Sequence, residues 1–426
     1  MKDLDFKINQ LGAIRESSIK IKPLIVLSGE SGLGKSYVAF LVHYIYYLLS
    51  DTNDRLKSFF YKRYDFEAMF ANVKSGDTVL SISKKEVFDW INQDAIAYIG
   101  YLIGNIDFQG NIEISFPCGY EEFEFTYTEE MGGLEGHEDL IFRLRLRKFN
   151  YMMLSGEFEK TEAPFTALLK AELRHLLFEN FRDMSSTYLL PPSRGALMEI
   201  NERPAFLSGM YNEFFDFKKI LNEASPRLEE PNSDIIECCS EVNNGKLKRK
   251  EGRIIYSTHG SDMPLTAAAS SIKELAPLTL FLNKYSTKGV SFLFEEPEAH
   301  LHPNRQVKVA DLISCIVNEG GHMQVTTHSD FLIKRLNNLI NLFLLREKME
   351  EGEFVKLLSK WKIKDSYLLN PKDVGAYLLK QNEDGTSQIV EQDIMADNEI
   401  PFESFYTAIK NDMALNYDIA ENEEEV

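Results

Sequence analysis

Runs of apolar and polar residues divide this chain into strands, helices and one long interruption. Alternation near residues 6–8 and 18–21 predicts two half-buried strands. Unbroken apolar runs, Pro23-Leu24-Ile25-Val26-Leu27 and Val290-Ser291-Phe292-Leu293-Phe294, instead suit central strands of a parallel sheet covered on both faces. Ser186-Thr187-Tyr188-Leu189-Leu190 and the run from Gly321 to Thr326 are further short strands of this kind. Helical spacing marks residues 84–105, 165–181 behind Pro164, and 210–228, while 110–128 and 140–149 alternate as strands. The most apolar stretch, 37–49, is too short to span a bilayer and predicts a core helix. Leu342-Phe343-Leu344-Leu345 predicts a last sheet strand, and 373–379 with 388–391 a hairpin across Asn382-Glu383-Asp384-Gly385. A helix at 403–413 and a disordered acidic tail at 421–426 complete the pattern.

These elements predict an α/β fold in which residues 1–50 and 180–345 form one discontinuous head with a mixed sheet and a helical lobe at about 205–285. An α+β insertion occupies 51–179, and 346–426 form a C-terminal α+β extension with the acidic tail. A chain of 426 residues, 44% hydrophobic, buries a sizeable core. No heptad run or internal repeat is visible, so the helical lobe is modest rather than a long coiled coil.

Chemistry enters at the end of the first unbroken run. Gly29-Glu30-Ser31-Gly32-Leu33-Gly34-Lys35-Ser36 is a complete G-x-x-x-x-G-K-S phosphate loop between a strand and a helix. Glycines let main-chain N–H groups turn onto phosphates, Lys35 reaches the β and γ phosphates, and the Ser36 hydroxyl is placed for Mg²⁺. The second run ends in Glu295-Glu296-Pro297-Glu298-Ala299-His300-Leu301-His302-Pro303. Carboxylates at the C-terminal end of a parallel strand face the ligand cleft, Glu295 toward the metal and Glu296 toward the attacking water. Taken alone, the same residues also suit the first turn of a helix. A third strand leads into Thr326-Thr327-His328-Ser329-Asp330, where His328 is placed to hydrogen-bond the γ-phosphate or the water.

Phosphate loop, Glu-Glu-Pro-Glu-Ala-His-Leu-His-Pro strand end and Thr-Thr-His-Ser turn together resemble the ATPase heads of the OLD (overcoming lysogenization defect) family. These are ABC-class ATPases related to chromosome-maintenance and DNA-repair ATPases. The resemblance covers roughly residues 1–50 and 180–345. It implies a P-loop ABC-class ATPase head that uses ATP and Mg²⁺, with Lys35 and Ser36 on phosphate and metal, Glu295 on the metal side, Glu296 as general base and His328 as switch histidine. It also implies a homodimer or higher homo-oligomer that sandwiches ATP, each subunit's signature loop capping its partner's nucleotide.

The signature-like segment is Leu265-Thr266-Ala267-Ala268-Ala269-Ser270-Ser271-Ile272-Lys273. Ser271 stands where the family has glycine. From the residues alone, Ser270 is a good helix N-cap beside an anion-favouring helix start. Pro191-Pro192-Ser193-Arg194-Gly195 resembles the turn that follows this strand in the family, and Arg194 is expected either to couple the γ-phosphate to the inserted lobe or to be a surface arginine after a proline turn. Family nucleases carry a C-terminal metal-dependent nuclease domain, which the segment after residue 345 is too short to hold. The resemblance therefore implies an ATPase subunit of a bacterial defence system, with a separately encoded nuclease or toxin effector.

A net charge of −19 argues against a protein that coats nucleic acid through general basicity, though a local contact with DNA stays open. Two local basic segments stand out. Phe142-Arg143-Leu144-Arg145-Leu146-Arg147-Lys148 places three arginines on one strand face, either to track phosphates or as the solvent side of an edge strand. Lys246-Leu247-Lys248-Arg249-Lys250 predicts a charged hairpin. Cys118, Cys238, Cys239 and Cys315 lack metal-site spacing and fit a reducing cytoplasm, and His300 and His302 are expected in a loop facing a partner subunit. The N-terminal residues already alternate as a strand, which leaves no secretory signal, so a cytoplasmic, non-membrane protein is expected.

Overall fold

The opening alternation folds as two antiparallel strands, β1 (Asp5–Leu11) and β2 (Ile14–Lys20), joined at Gly12. The first unbroken run is β3 (Leu24–Gly29), followed by the phosphate loop and helix α1 (Lys35–Leu49). In this computed structural model the described residues are 4–61, 63–71, 73–134, 137–154, 160–178, 184–200, 202–205, 208–222, 233–250, 252–394, 399–400, 410–417 and 419.

The interruption holds α2 (Lys57–Phe60), α3 (Phe66–Phe70), β4 (Thr78–Ser83), α4 (Lys84–Ile103), β5 (Gly110–Ser115), β6 (Glu122–Leu134), β7 (His137–Leu146), β8 (Phe149–Leu154) and α5 (Ala163–Leu177). Then come β9 (Ser186–Leu190), α6 (Arg194–Glu199), α7 (Gly209–Asn222), α8 (Ser233–Asn243), β10 (Lys246–Lys250), β11 (Arg253–Thr258), β12 (Ser261–Pro264) and α9 (Ser270–Leu282). The chain continues through β13 (Val290–Glu295), α10 (Pro303–Asn318), β14 (His322–Thr326), α11 (Asp330–Arg346), α12 (Glu351–Trp361), β15 (Val374–Gln381) and β16 (Ser387–Glu391).

Nine strands form the main sheet in the order β5-β1-β2-β16-β15-β3-β14-β13-β9. Its centre is parallel: β15 and β14 flank β3, and β13 lies between β14 and β9. Both faces are covered, which is why β3 and β13 read as continuous apolar runs. Ile25, Leu27 and Leu293 join the core shared with α1 and the insertion, whereas Leu24, Val26, Phe292 and Phe294 join the core shared with α7 to α11. The fold is a mixed α/β unit with a central mixed sheet and helical insertions.

Several elements differ from the pattern read in the sequence. Leu342 to Leu345 are not a strand but the last turns of α11, where Leu342 and Phe343 pack on Phe354 and Leu358 of α12. The strand on the other side of β3 from β14 is β15, so residues expected in a C-terminal extension supply two internal strands of the main sheet. The insertion is likewise tied in, since β5 pairs with β1 and α4 lies on α1, with Tyr47 and Tyr98 stacked at 4.7 Å and Tyr44 donating to Asp94 at 2.9 Å. Its other strands make a separate antiparallel sheet, β4-β6-β7-β8.

β7 is therefore internal, not an edge. Arg143 pairs with Glu130, and Arg147 has left the strand for a left-handed turn over the Tyr120 ring, so the three arginines do not share a face. The charged hairpin forms as β10 and β11, with Lys248 paired to Asp262. The hairpin between β15 and β16 turns at Gly385 as predicted. Much of the helix expected at 403–413 and the whole tail at 421–426 lie outside the described residues. Among the described residues no helix is long and apolar enough to cross a membrane.

Candidate nucleotide site

The site begins where β3 ends. Gly29, Gly32 and Gly34 all have positive φ (125°, 82° and 101°), which winds the loop back toward the first turn of α1. A side chain at Gly29 would lie 2.5 Å from the carbonyl oxygen of Leu379 on β15, whereas one at Gly32 would meet nothing within 4 Å. The loop is thus clamped at its strand end and open at its middle. No acidic residue occupies the first turn of α1, so its N-terminal N–H groups present an uncompensated positive end, as a phosphate requires.

Lys35 is buried and donates to the carbonyls of Gly29 and Glu30 at 2.9 and 2.7 Å. Burial pushes its ammonium down to about 8, opposed by the nearby carboxylates of Glu296, Glu298 and Glu30. The ammonium is thus buried beneath a loop whose middle, Glu30 to Gly32, is exposed.

The acids come from the end of β13. Because β14 lies between β3 and β13, the Glu295 end of β13 stands one strand away from the phosphate loop, across the C-terminal edge of the sheet. Glu295 is 3% exposed, and burial pushes its carboxyl up to about 7, with Glu296 adding to the rise and the hydroxyl of Ser36 and Arg194 opposing it. Glu296 departs from strand geometry, with φ 44°, and its N–H is held by the Thr326 carbonyl at 3.0 Å. That left-handed residue turns the chain away from the sheet at the cleft.

From β14 come Thr326, Thr327 and His328. The histidine is half-buried, and its pKa is lowered by burial and by Lys35, which keeps the imidazole neutral at pH 7. Its main-chain N–H donates to Glu298 Oε1 at 2.6 Å. The structure therefore gathers Lys35, Ser36, Glu295, Glu296 and His328 in one place.

Other expected residues lie differently. Ala269, not Ser270, holds the N-cap position of α9, with no side-chain cap, and Ser270 is an exposed first helical residue. Ser271 accepts from Arg305 of α10 at 2.9 Å. Arg194 is not a surface arginine, since it is wholly buried and its donors are taken up by main-chain carbonyls. His302 caps α10 by accepting from the Asn304 N–H, while His300 is exposed.

Two contributors carry no motif assignment. Glu298 is the third acid of Glu-Glu-Pro-Glu, and its position two residues past Glu296 is the only local signal. Ser387 of β16 donates to the Leu33 carbonyl at 2.8 Å, and nothing near it in sequence announces that contact. Among the described residues no cluster of three or more His, Cys, Asp or Glu side chains forms a protein-only metal cage. Ser36 and Glu295, which are hydrogen-bonded to each other, are the two residues that could hold an ion otherwise completed by phosphate oxygens and water.

Residues 210–333 match the sequence profile described as "AAA ATPase domain", a span that includes Ser270, Glu295, Glu296 and His328 but not the phosphate loop. No curated protein sequence matches the chain. Similar solved structures include the SMC head domain from Thermotoga maritima, at 12% identity and TM-score 0.34, covering 92% of this chain and 100% of that one. An SmcHead bound to the C-winged helix domain of ScpA has 12% identity and TM-score 0.37, covering 93% and 98%. The Smc head domain with an extended coiled coil bound to the C-terminal domain of ScpA, derived from Pyrococcus furiosus, has 11% identity and TM-score 0.34, covering 97% and 98%. In the main sheet of this chain β14 lies between the phosphate-loop strand β3 and the acidic strand β13.

Proposed function

We propose that this chain binds and hydrolyses ATP, closing on the nucleotide with a second copy of itself, as the ATPase subunit of a bacterial defence system. In this reading it senses or remodels a nucleic-acid or phage-related target and works with a separately encoded nuclease or toxin. The single observation that carries the ATPase part is the convergence of Lys35, Ser36, Glu295, Glu296 and His328 at one end of neighbouring parallel strands. The OLD-family resemblance supports the defence and nucleic-acid part.

ATP is the substrate. Main-chain N–H groups of the loop and of the first turn of α1 hold its phosphates, and Lys35 exchanges the carbonyls of Gly29 and Glu30 for phosphate oxygens. Ser36 and Glu295 would hold Mg²⁺, which neutralises charge on the β and γ phosphates when bound. Glu296 accepts a proton from the water that attacks the γ-phosphorus in line, and ADP leaves. Neutral His328 orients that water or the γ-phosphate. The exposed N terminus of α9, with Ser270, is free to cap the nucleotide of a second subunit.

The test is ATPase turnover of the purified full chain with and without single- and double-stranded DNA, beside Lys35→Ala and Glu296→Gln. DNA-stimulated turnover lost in both variants supports the reading, and turnover indifferent to Glu296→Gln overturns it. One observation favours a second reading, a nucleotide-dependent scaffold for a protein partner: Ser271 is engaged by Arg305 where the family has a bare glycine. A partner retained with ATP by Glu296→Gln, without DNA stimulation, selects that reading.

A further inference from the structure

Arg194 has no exposed surface, and each nitrogen of its guanidinium has a named acceptor. Nε donates to the Glu274 carbonyl at 2.9 Å, Nη1 to those of Pro191 and Glu295 at 3.1 and 2.8 Å, and Nη2 to that of Glu296 at 3.3 Å. The guanidinium carbon lies 4.5 Å from the centre of the Phe294 ring, and Nε is 3.7 Å from the Glu274 carboxylate. This arginine is engaged with the chain that presents Glu296, rather than with the reacting atoms. Glu296 is in the left-handed region, which a glutamate does not adopt without support, and it is held from two sides: its N–H by Thr326, its carbonyl by Arg194.

Glu274, the other end of the link, belongs to the start of α9, the helix that opens with exposed Ser270. The contact has no slack. A Cβ on Gly195 would lie 2.9 Å from Glu274 Oε1, 3.1 Å from its main-chain nitrogen and 3.1 Å from Lys273 Cβ. The start of α6 is thus wedged between the first turns of α9 and the end of β13. Building on the ATPase reading above, we propose that Arg194 is a positioning residue that ties the Glu296 main chain to α9, so that setting the general base in one subunit and seating its α9 N terminus on the partner's nucleotide are one coupled movement.

Arg194→Lys tests this, because it keeps a buried cation but has one nitrogen in place of the three that reach the carbonyls of Glu274, Glu295 and Glu296. Glu274→Gln, which keeps the main-chain acceptor, is the companion control. The full-length proteins are compared for thermal melting, Kd for a non-hydrolysable ATP analogue with Mg²⁺, kcat and KM for ATP, and ATP-dependent dimerisation by light scattering in a Glu296→Gln background. The expected result for Arg194→Lys is analogue affinity and KM within about threefold, and losses of about tenfold or more in kcat and in dimerisation together, with Glu274→Gln, which keeps the main-chain link, closer to wild type in both. Wild-type melting and dimerisation with unchanged kcat, or a rise in KM alone, overturns the coupling. Wild-type turnover indifferent to Glu296→Gln overturns the ATPase reading and the coupling with it, whereas Glu296-dependent turnover that Arg194→Lys leaves intact overturns the coupling alone.

Discussion

The main-chain N–H of His328 donates to the carboxylate of Glu298 at 2.6 Å, closing the turn after β14 onto the turn after β13. Burial holds the Glu298 carboxyl above the ordinary carboxylate range, and the His328 bond opposes that rise. Glu298→Ala removes the acceptor and is expected to cost about 1–3 kcal/mol in urea unfolding. Glu298→Gln keeps an acceptor oxygen and should lose less than half of that. Equal losses in the two variants would count against the bond.

Separating binding from chemistry requires two other variants. Lys35→Ala should lose most ATP affinity, since the only buried ammonium in the loop is gone. Glu296→Gln should keep affinity and lose roughly 10²–10⁴ in single-turnover rate, the range expected for removing a general base. An unaltered single-turnover rate in Glu296→Gln would reassign the base.

Dimer closure has its own probe. Ser270 is exposed at the start of α9, so Ser270→Arg should leave the single chain's nucleotide affinity within about threefold while blocking ATP-dependent dimerisation sterically and by charge. Light scattering with ATP in a Glu296→Gln background reads this directly. A dimer of normal strength would place the interface elsewhere.

Acid and base dependence should appear at the packing of α7 on α1 and α4. Burial pushes the Glu213 carboxyl up to about 7, with Asp216 adding to the rise and Arg55, Arg203 and Tyr47 opposing it. Its folded pKa is raised, so its contribution to stability is fully present below about 4.5 and is lost as pH climbs to about 7. Glu213→Gln removes that loss. The variant should gain on wild type by about 2 kcal/mol between pH 5 and pH 8, measured by denaturant unfolding at both values. A constant difference across that range would show that the carboxyl ionises normally.

Much of the candidate site is legible in sequence because each part ends a strand with a local signature. Glycine spacing announces the loop around Lys35, and an apolar run stopping at two carboxylates announces Glu295 and Glu296. What is not legible depends on distant pairing. Arg194 lies in a proline turn that looks solvent-facing, and only the convergence of α9 and β13 on it makes it a core residue. Leu342 to Leu345 read as a strand because a short apolar run does not show its period, and the partner that makes them helical is α12. Nothing near Val374 to Gln381 says that this strand lies beside β3, since that pairing spans almost the whole chain.

That pairing bears on how the molecule is made. Leu379 packs against the α-carbon side of Gly29, and Ser387 holds the carbonyl of Leu33 from 354 positions further along the chain. A ribosome will have released the phosphate loop long before it reaches the residues that brace it. The loop therefore stays unbraced while the head is only partly synthesised, and it gains its brace when β15 and β16 have emerged and folded into the sheet.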